Sequence, residues 1–314
     1  MRALGLLGLV VIVSGCELAG GGGGTGGGAG GGGGSTLTFT KGYVFIRKDD
    51  RNVYVADAVD LQVTAKLTTS GGARHPSLST DGKKVVFART VDTDTQIAIV
   101  PTRGGTTTAV LTSSPTVKNL RNPVFSKDTT KIFFAYDVGA SSALGVVDID
   151  GLNFKSLAGG SSISYASPSL STDGLSVLVA AGSSASQLVQ LEKVDAASGM
   201  AMNVASTLGI EAQTIVNRVV LSPDGTRAAF DGRVSSGSSR IFVMNLTTKA
   251  VTKLTDYPAD PNANDSFPTW VGNDKVGFSS DTGGNDQVYA LPASSMNTSG
   301  GLTLPGAVEA WYGP

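Results

Sequence analysis

The sequence predicts an all-β chain: a six-bladed β-propeller closed by pairing its C-terminal strand with its N-terminal blade. Three observations predict it. A phrase recurs, as HPSLSTDGKKVVFAR (75–89), NPVFSKDTTKIFFAY (122–136), SPSLSTDGLSVLVAA (167–181) and RVVLSPDGTRAAFDG (218–232), and more loosely as FPTWVGNDKVGFSSD (267–281). Its marker residues Leu78, Phe125, Leu170, Leu221 and Trp270 step by 47, 45, 51 and 49 residues, a period typical of repeat arrays. The two ends also complement each other. Segment 42–69 supplies only the last three strands of a unit, and 307–314 supplies only a first strand, with Trp311 in the marker place.

Each unit reads as four antiparallel strands. A short segment such as PSLS opens it, and Pro before that segment suits a strand start, where no ladder N–H is needed. The turn TDG or PDG between apolar runs is a hairpin signal. A β-branched or aromatic run follows (KVVFAR, KIFFAY, LSVLVAA, TRAAF, KVGFSS). An alternating strand comes next (QIAIV, ALGVVDI, QLVQLEKV, RIFVMNL, QVYAL), then a last one (TAVLT, FKSLA, MNVAS, VTKLT, GLTLP). One such sheet leaves both apolar faces uncovered, and stacking units covers them. Four strands per unit is the propeller signature. Five whole blades and one shared by the termini make six. The alternative assigns 37–40 (LTFT) as the first blade's own inner strand.

The amino terminus reads differently. MRALGLLGLVVIVSGC has Arg2, an apolar run too short to span a membrane, then small residues. VSGC resembles the bacterial lipoprotein signal, which implies cleavage after residue 15 and acylation of Cys16. Glu17 rather than Asp follows, which in enterobacterial lipoproteins implies the outer membrane. Residues 16–41 then form the lipidated Cys and a Gly-rich tether; with no large apolar side chain in 20–35, nothing offsets its ordering entropy. Its r.m.s. reach is roughly 20–25 Å. Residues 42–314 form the propeller.

Across that span, KLTTSGGARHPSLSTDGKKVVFARTVDTDTQIAIVPTRGG resembles the TolB-type β-propeller repeat. The matching residues belong to turns and core, so the likeness speaks for architecture. Departures occur where Val219 replaces Pro, where Asp128-Thr129 replaces Asp-Gly, and where the last repeat reads VGND. The resemblance implies an envelope interaction module that docks a peptide or protein.

Composition excludes several chemistries. Lys and Arg are scattered and net charge is −1, so no basic stripe suits nucleic acid. One His and one Cys exclude an internal disulfide and a Cys/His zinc cluster. No G-x-S-x-G elbow is present, and His75 alone cannot serve a multi-His metal site. No catalytic residue and no cofactor is expected. Calcium is the one metal the composition permits, through Asp256, Asp260, Asn262, Asn264 and Asp265. The acidic segments 256–266, 91–95 and 281–286 also read as ordinary loop chemistry.

Residues just before each inner strand should ring the tunnel mouth: Arg74 and His75, Arg121 and Asn122, Ala166 and Ser167, Asn217 and Arg218, Ser266 and Phe267, with Glu309 nearby; the polar Arg74, His75, Arg121, Asn122, Asn217, Arg218 and Glu309 are the candidate partner-binding residues. Three arginines there suit a carboxylate, a peptide terminus or an acidic loop. Trp270 and Trp311 are expected as wedges between blades. The function expected is a monomeric, lipid-anchored binding module of the bacterial envelope, at the outer membrane and facing periplasm or cell surface. Its partners are the membrane, through acylated Cys16, and an envelope protein or peptide. Two rival readings stay open: a calcium-dependent lactonase-like hydrolase using the tunnel, and a surface lectin or adhesin.

Overall fold

The computed structural model describes residues 39–294 and 301–313; Cys16 and nearly all of the Gly-rich segment lie outside them. Among the described residues there are six four-stranded antiparallel sheets. Blade 1 joins the termini: Ala307–Gly313 is innermost, followed outward by Gly42–Arg47, Val53–Asp57 and Thr64–Lys66. Blades 2 to 6 begin with the inner strands Ala73–Leu78, Lys118–Phe125, Ser164–Leu170, Thr214–Leu221 and Asp265–Val271. Each inner strand packs against the next, and Asp265–Val271 packs against Ala307–Gly313, which packs against Ala73–Leu78, so the ring is complete. Among the described residues the sole helical piece is a 3₁₀ turn, Thr282–Gly284, and no helix is long and apolar enough to cross a membrane.

The innermost place of blade 1 belongs to the C-terminal strand. Gly42 pairs with Gly313, Tyr43 with Tyr312 and Val44 with Trp311. That place is therefore not open to 37–40, of which residues 37 and 38 lie outside the described ones; Thr40 caps blade 1 by donating its N–H to Asp57 Oδ2 at 2.8 Å.

The core lies between blades, not within them. Each second strand is apolar on both faces, as in Lys131–Val138 (KIFFAYDV), because each face meets a neighbouring blade. Six clusters fill the interfaces. Val86 and Ile97 of blade 2 meet Leu120 and Phe134 of blade 3, and Tyr43 and Phe45 of blade 1 meet Val288 and Leu304 of blade 6. A buried Phe or Ile contributes about 1.5–3 kcal/mol, so loss of one interface would expose a whole row of such residues.

The recurring Ser-x-Asp turn is a hydrogen-bonded clamp. Ser79 Oγ donates to Asp81 Oδ1 at 2.7 Å and accepts the Lys84 N–H at 2.9 Å, while Asp81 Oδ1 accepts the Lys83 N–H at 3.0 Å. Ser126/Asp128, Ser171/Asp173 and Ser222/Asp224 repeat the serine–aspartate contact. The Asp-Gly residues are thus joint closers, with Gly82, Gly174 and Gly225 at positive φ. The prolines depart from the strand-start expectation. Pro76, Pro123, Pro168 and Pro268 lie inside the inner strands, each at a break in register. A bulge interrupts the ladder there, so the missing N–H leaves no carbonyl of the ladder stranded.

Candidate functional site

The same bulge builds the tunnel mouth. His75 (φ 52°), Asn122 (50°), Ser167 (53°), Phe267 (53°) and Glu309 (55°) all sit in the left-handed region, at one place in five of the six inner strands. Arg218 holds the corresponding place in blade 5. Left-handed backbone costs a non-Gly residue roughly 1–2 kcal/mol. The mouth offsets that strain with hydrogen bonds to the kinked amides. The His75 N–H donates to Glu309 Oε2 at 2.6 Å, the Phe267 N–H to Asp231 Oδ2 at 3.1 Å and the Glu309 N–H to Ser279 Oγ at 2.8 Å.

Two buried carboxylates anchor this arrangement. Asp231 is fully buried and also accepts the N–H groups of Asn217 and Arg218, at 2.9 and 2.8 Å, and the Asn217 side-chain amide at 2.8 Å. Burial raises its pKa, and these hydrogen bonds work against the rise. Glu309 accepts from Arg51 Nη2 at 2.7 Å as well as from His75. Burial opposes its charge too, but the Arg51 guanidinium and the His75 backbone N–H prevail and its pKa is lowered. His75 is pushed down to about 4, chiefly by burial, with the nearby arginines adding to the effect. It is therefore neutral near pH 7, and its Nδ1 faces the Asn122 N–H at 3.4 Å.

Below the mouth the throat is closed. The Arg218 guanidinium lies 5.2 Å from the Phe267 ring centre and 5.3 Å from that of Trp311, and donates to the Ala310 carbonyl at 2.7 Å. The His75 ring lies 5.6 Å from Phe267, and Asn122 Nδ2 meets the Asn217 carbonyl at 3.4 Å. Apart from Arg218–Phe267, these contacts join blades that are not neighbours in the ring. Burial pushes the Arg218 pKa down to about 10, which leaves it charged at neutral pH. The space enclosed by His75, Asn122, Ser167, Arg218 and Trp311 is only about 10 Å³, room for about one water.

Trp311 is not the interblade wedge that its marker place suggests. Tyr312 pairs with Tyr43 as Trp270 pairs with Val276, and Trp311 pairs with Val44 as Thr269 pairs with Gly277. The Tyr312 N–H meets Thr269 Oγ1 at 2.8 Å, as the Leu221 N–H meets Ser169 Oγ at 2.9 Å. Tyr312 is therefore the marker residue of blade 1. Trp311 takes the place held elsewhere by Ser77, Val124, Ser169, Val220 and Thr269. With a period of two, that one-residue offset moves the indole from the blade interface to the tunnel axis. There it packs against three separate core clusters. Trp270 does act as a wedge: it is buried between blades 5 and 6 and donates Nε1–H to the Val220 carbonyl at 3.0 Å.

The outer mouth is a bowl of about 220 Å³ bordered by Lys48, Arg51, Ser266, Phe267, Asp281 and Glu309. The three expected arginines do not converge. Arg218 is in the throat, Arg121 pairs with Asp137 at 2.6 Å, and half-buried Arg74 donates to Asn119 Oδ1 at 3.2 Å while its Nε is unpartnered. Arg51 and Asp231 were not singled out from the sequence. Arg51 lies in a blade 1 turn and reaches Glu309 only through ring closure, and Asp231 follows the apolar run AAF in Arg227–Arg233, which was its one visible signal. The five calcium candidates have other partners or are buried. Asp256 pairs with Lys253 at 3.2 Å, Asn264 Oδ1 accepts the Ser239 N–H at 3.2 Å, and the Asn262 carbonyl accepts from Asn264 at 3.1 Å. Asp260 Oδ2 takes the Gly283 N–H at 3.4 Å, while Asp265 is turned inward and fully buried. Among the described residues no three His, Cys, Asp or Glu gather as a metal site.

No family model matches the chain, and no curated protein matches it in sequence. Its structure is similar to TolB from Acinetobacter baumannii, with a TM-score of 0.68, 17% identity, and coverage of 89% of this chain and 68% of that one. It is also similar to a chain of a nidogen/laminin complex, at TM-score 0.65 and 10% identity, covering 87% of this chain and 98% of that one. A third likeness is to oligogalacturonate lyase from Vibrio parahaemolyticus, at TM-score 0.56 and 15% identity, over 79% of this chain and 73% of that one. At these identities the likeness shows the propeller fold alone.

Proposed function

We propose that the protein is a binding module of the bacterial cell envelope, held by an acylated Cys16, that docks an acidic or C-terminal peptide segment of an envelope protein at the mouth. The observation that carries this reading is the closed throat. A partner reaching this face meets a shallow bowl with Arg51 at its border, beside a ring of hydrogen-bonded bulges whose blade 2 member carries Arg74. Arginine suits a carboxylate because its planar fork can make two parallel hydrogen bonds. A lactonase-type hydrolase would draw its substrate into the tunnel, where this chain places Arg218 and Trp311. The likeness to TolB and to a chain of a nidogen/laminin complex supports a protein-binding role.

The test is site-specific photo-crosslinking in cells. A crosslinking residue at Arg74 should capture a discrete envelope protein, and one at Lys83, in the turn of the opposite face, should not. Capture of the same protein from both places, or from neither, rejects the mouth as the docking face. The anchor is checked separately. The Cys16→Ala chain should leave the membrane pellet and appear in the soluble fraction, whereas continued pelleting after a salt wash rejects acylation as the tether.

A further inference from the structure

Trp311 divides the tunnel, and the half away from the mouth is a second, independent cavity. It measures about 500 Å³, within the range of small-molecule sites. Leu78, Phe125, Leu170 and Leu221 line it, and the Trp311 indole forms its blind end. The hydroxyls at its open edge are engaged. Ser79 and Ser171 donate to Asp81 and Asp173 at 2.7 and 2.6 Å, and Thr80 and Thr172 donate to the Lys127 and Pro223 carbonyls at 2.7–2.8 Å. Lys127 is the one charged residue in the lining. Asp173, a carboxylate that its charge influences, is held by Ser171 and by the Leu175 N–H at 2.9 Å.

An apolar chamber blind at one end, with a single cation in its lining, selects a ligand with one apolar tail and one negative head. We propose that this chamber binds a single-chain aliphatic carboxylate, its tail on the Trp311 indole and its head at the Lys127 ammonium. Burial of the tail supplies most of the affinity. The Lys127 charge, close to solvent, supplies the preference for an anion. This site is separate from the mouth in position and in ligand class.

The chain contains two Trp, so Trp270→Phe leaves Trp311 as the sole indole reporter. The full chain carrying Cys16→Ala, with no acyl group of its own to compete, is titrated with decanoate, decanol and decyltrimethylammonium below their micellar concentrations. Trp311 fluorescence should change saturably with decanoate, at least fivefold more tightly than with decanol, and not with the cation. Lys127→Met should bring decanoate to the level of decanol, and Arg74→Glu at the mouth should leave it unchanged. Should Trp270→Phe fail to fold, calorimetric titration of the chain with both Trp intact gives the same comparison. Absence of saturable decanoate binding, equal affinity for all three amphiphiles, or an unaltered affinity in Lys127→Met overturns the proposal.

Discussion

Asp265 opens the inner strand of blade 6 with its side chain fully buried, and neither carboxylate oxygen has a hydrogen bond of good geometry. Burial pushes its pKa up to about 6; the Thr255 and Ser280 hydroxyls and Arg240 work against the rise, and Asp281 adds to it. The folded state thus holds this proton more tightly than the unfolded chain, whose aspartate titrates near 3.9. Between about pH 4 and pH 6 the folded state binds more protons, so this group lowers stability as pH rises through that window. A two-unit difference corresponds to at most about 3 kcal/mol. Asp265→Asn should therefore raise the melting temperature at pH 8 and change it little at pH 4.5. Equal shifts at both pH values would show that Asp265 does not titrate in this way. The same residue shows why residue roles escape a reading of composition: in the sequence it is one more Asp among loop residues, and only burial beside Arg240 separates it from Asp256 or Asp260.

At the scale of the element, the serine–aspartate turn was visible as a repeated phrase, and its departures carry consequences. Thr129 stands where Gly82, Gly174 and Gly225 stand in other blades, and it adopts φ 60°. A β-branched residue in that region is strained, whereas glycine is not. Thr129→Gly should stabilise the protein by about 1 kcal/mol, a rise of about 2–4 °C in melting temperature by calorimetry. A lower melting temperature would mean that Thr129 makes a compensating contact. The inner-strand bulge was less legible. Proline marks it in four blades, but a proline also suits a strand start, and sequence alone does not separate those two uses. The separation came from register, which breaks beside Pro76, Pro123, Pro168 and Pro268.

For the whole molecule, closure is the property on which the others depend. Ala307–Gly313 completes blade 1, supplies Glu309 to the mouth and Trp311 to the tunnel, and covers faces of two blades. Removing 307–314 should destabilise the protein strongly, because it exposes two blade faces and an unpaired strand edge. Circular dichroism should show a lower melting temperature and a broader transition; an unchanged curve would show that the ring does not need its last strand. By itself the sequence determined the number of blades, the four strands in each and the sharing of blade 1 by the termini. Those follow from local patterns repeated at a constant interval. Only the tertiary structure decided that Trp311 blocks the tunnel, that Arg218 turns inward while Arg51 holds Glu309, and that an apolar chamber lies beyond. In a strand one residue of offset exchanges the two faces, and residues that meet across a tunnel stand in blades far apart along the chain.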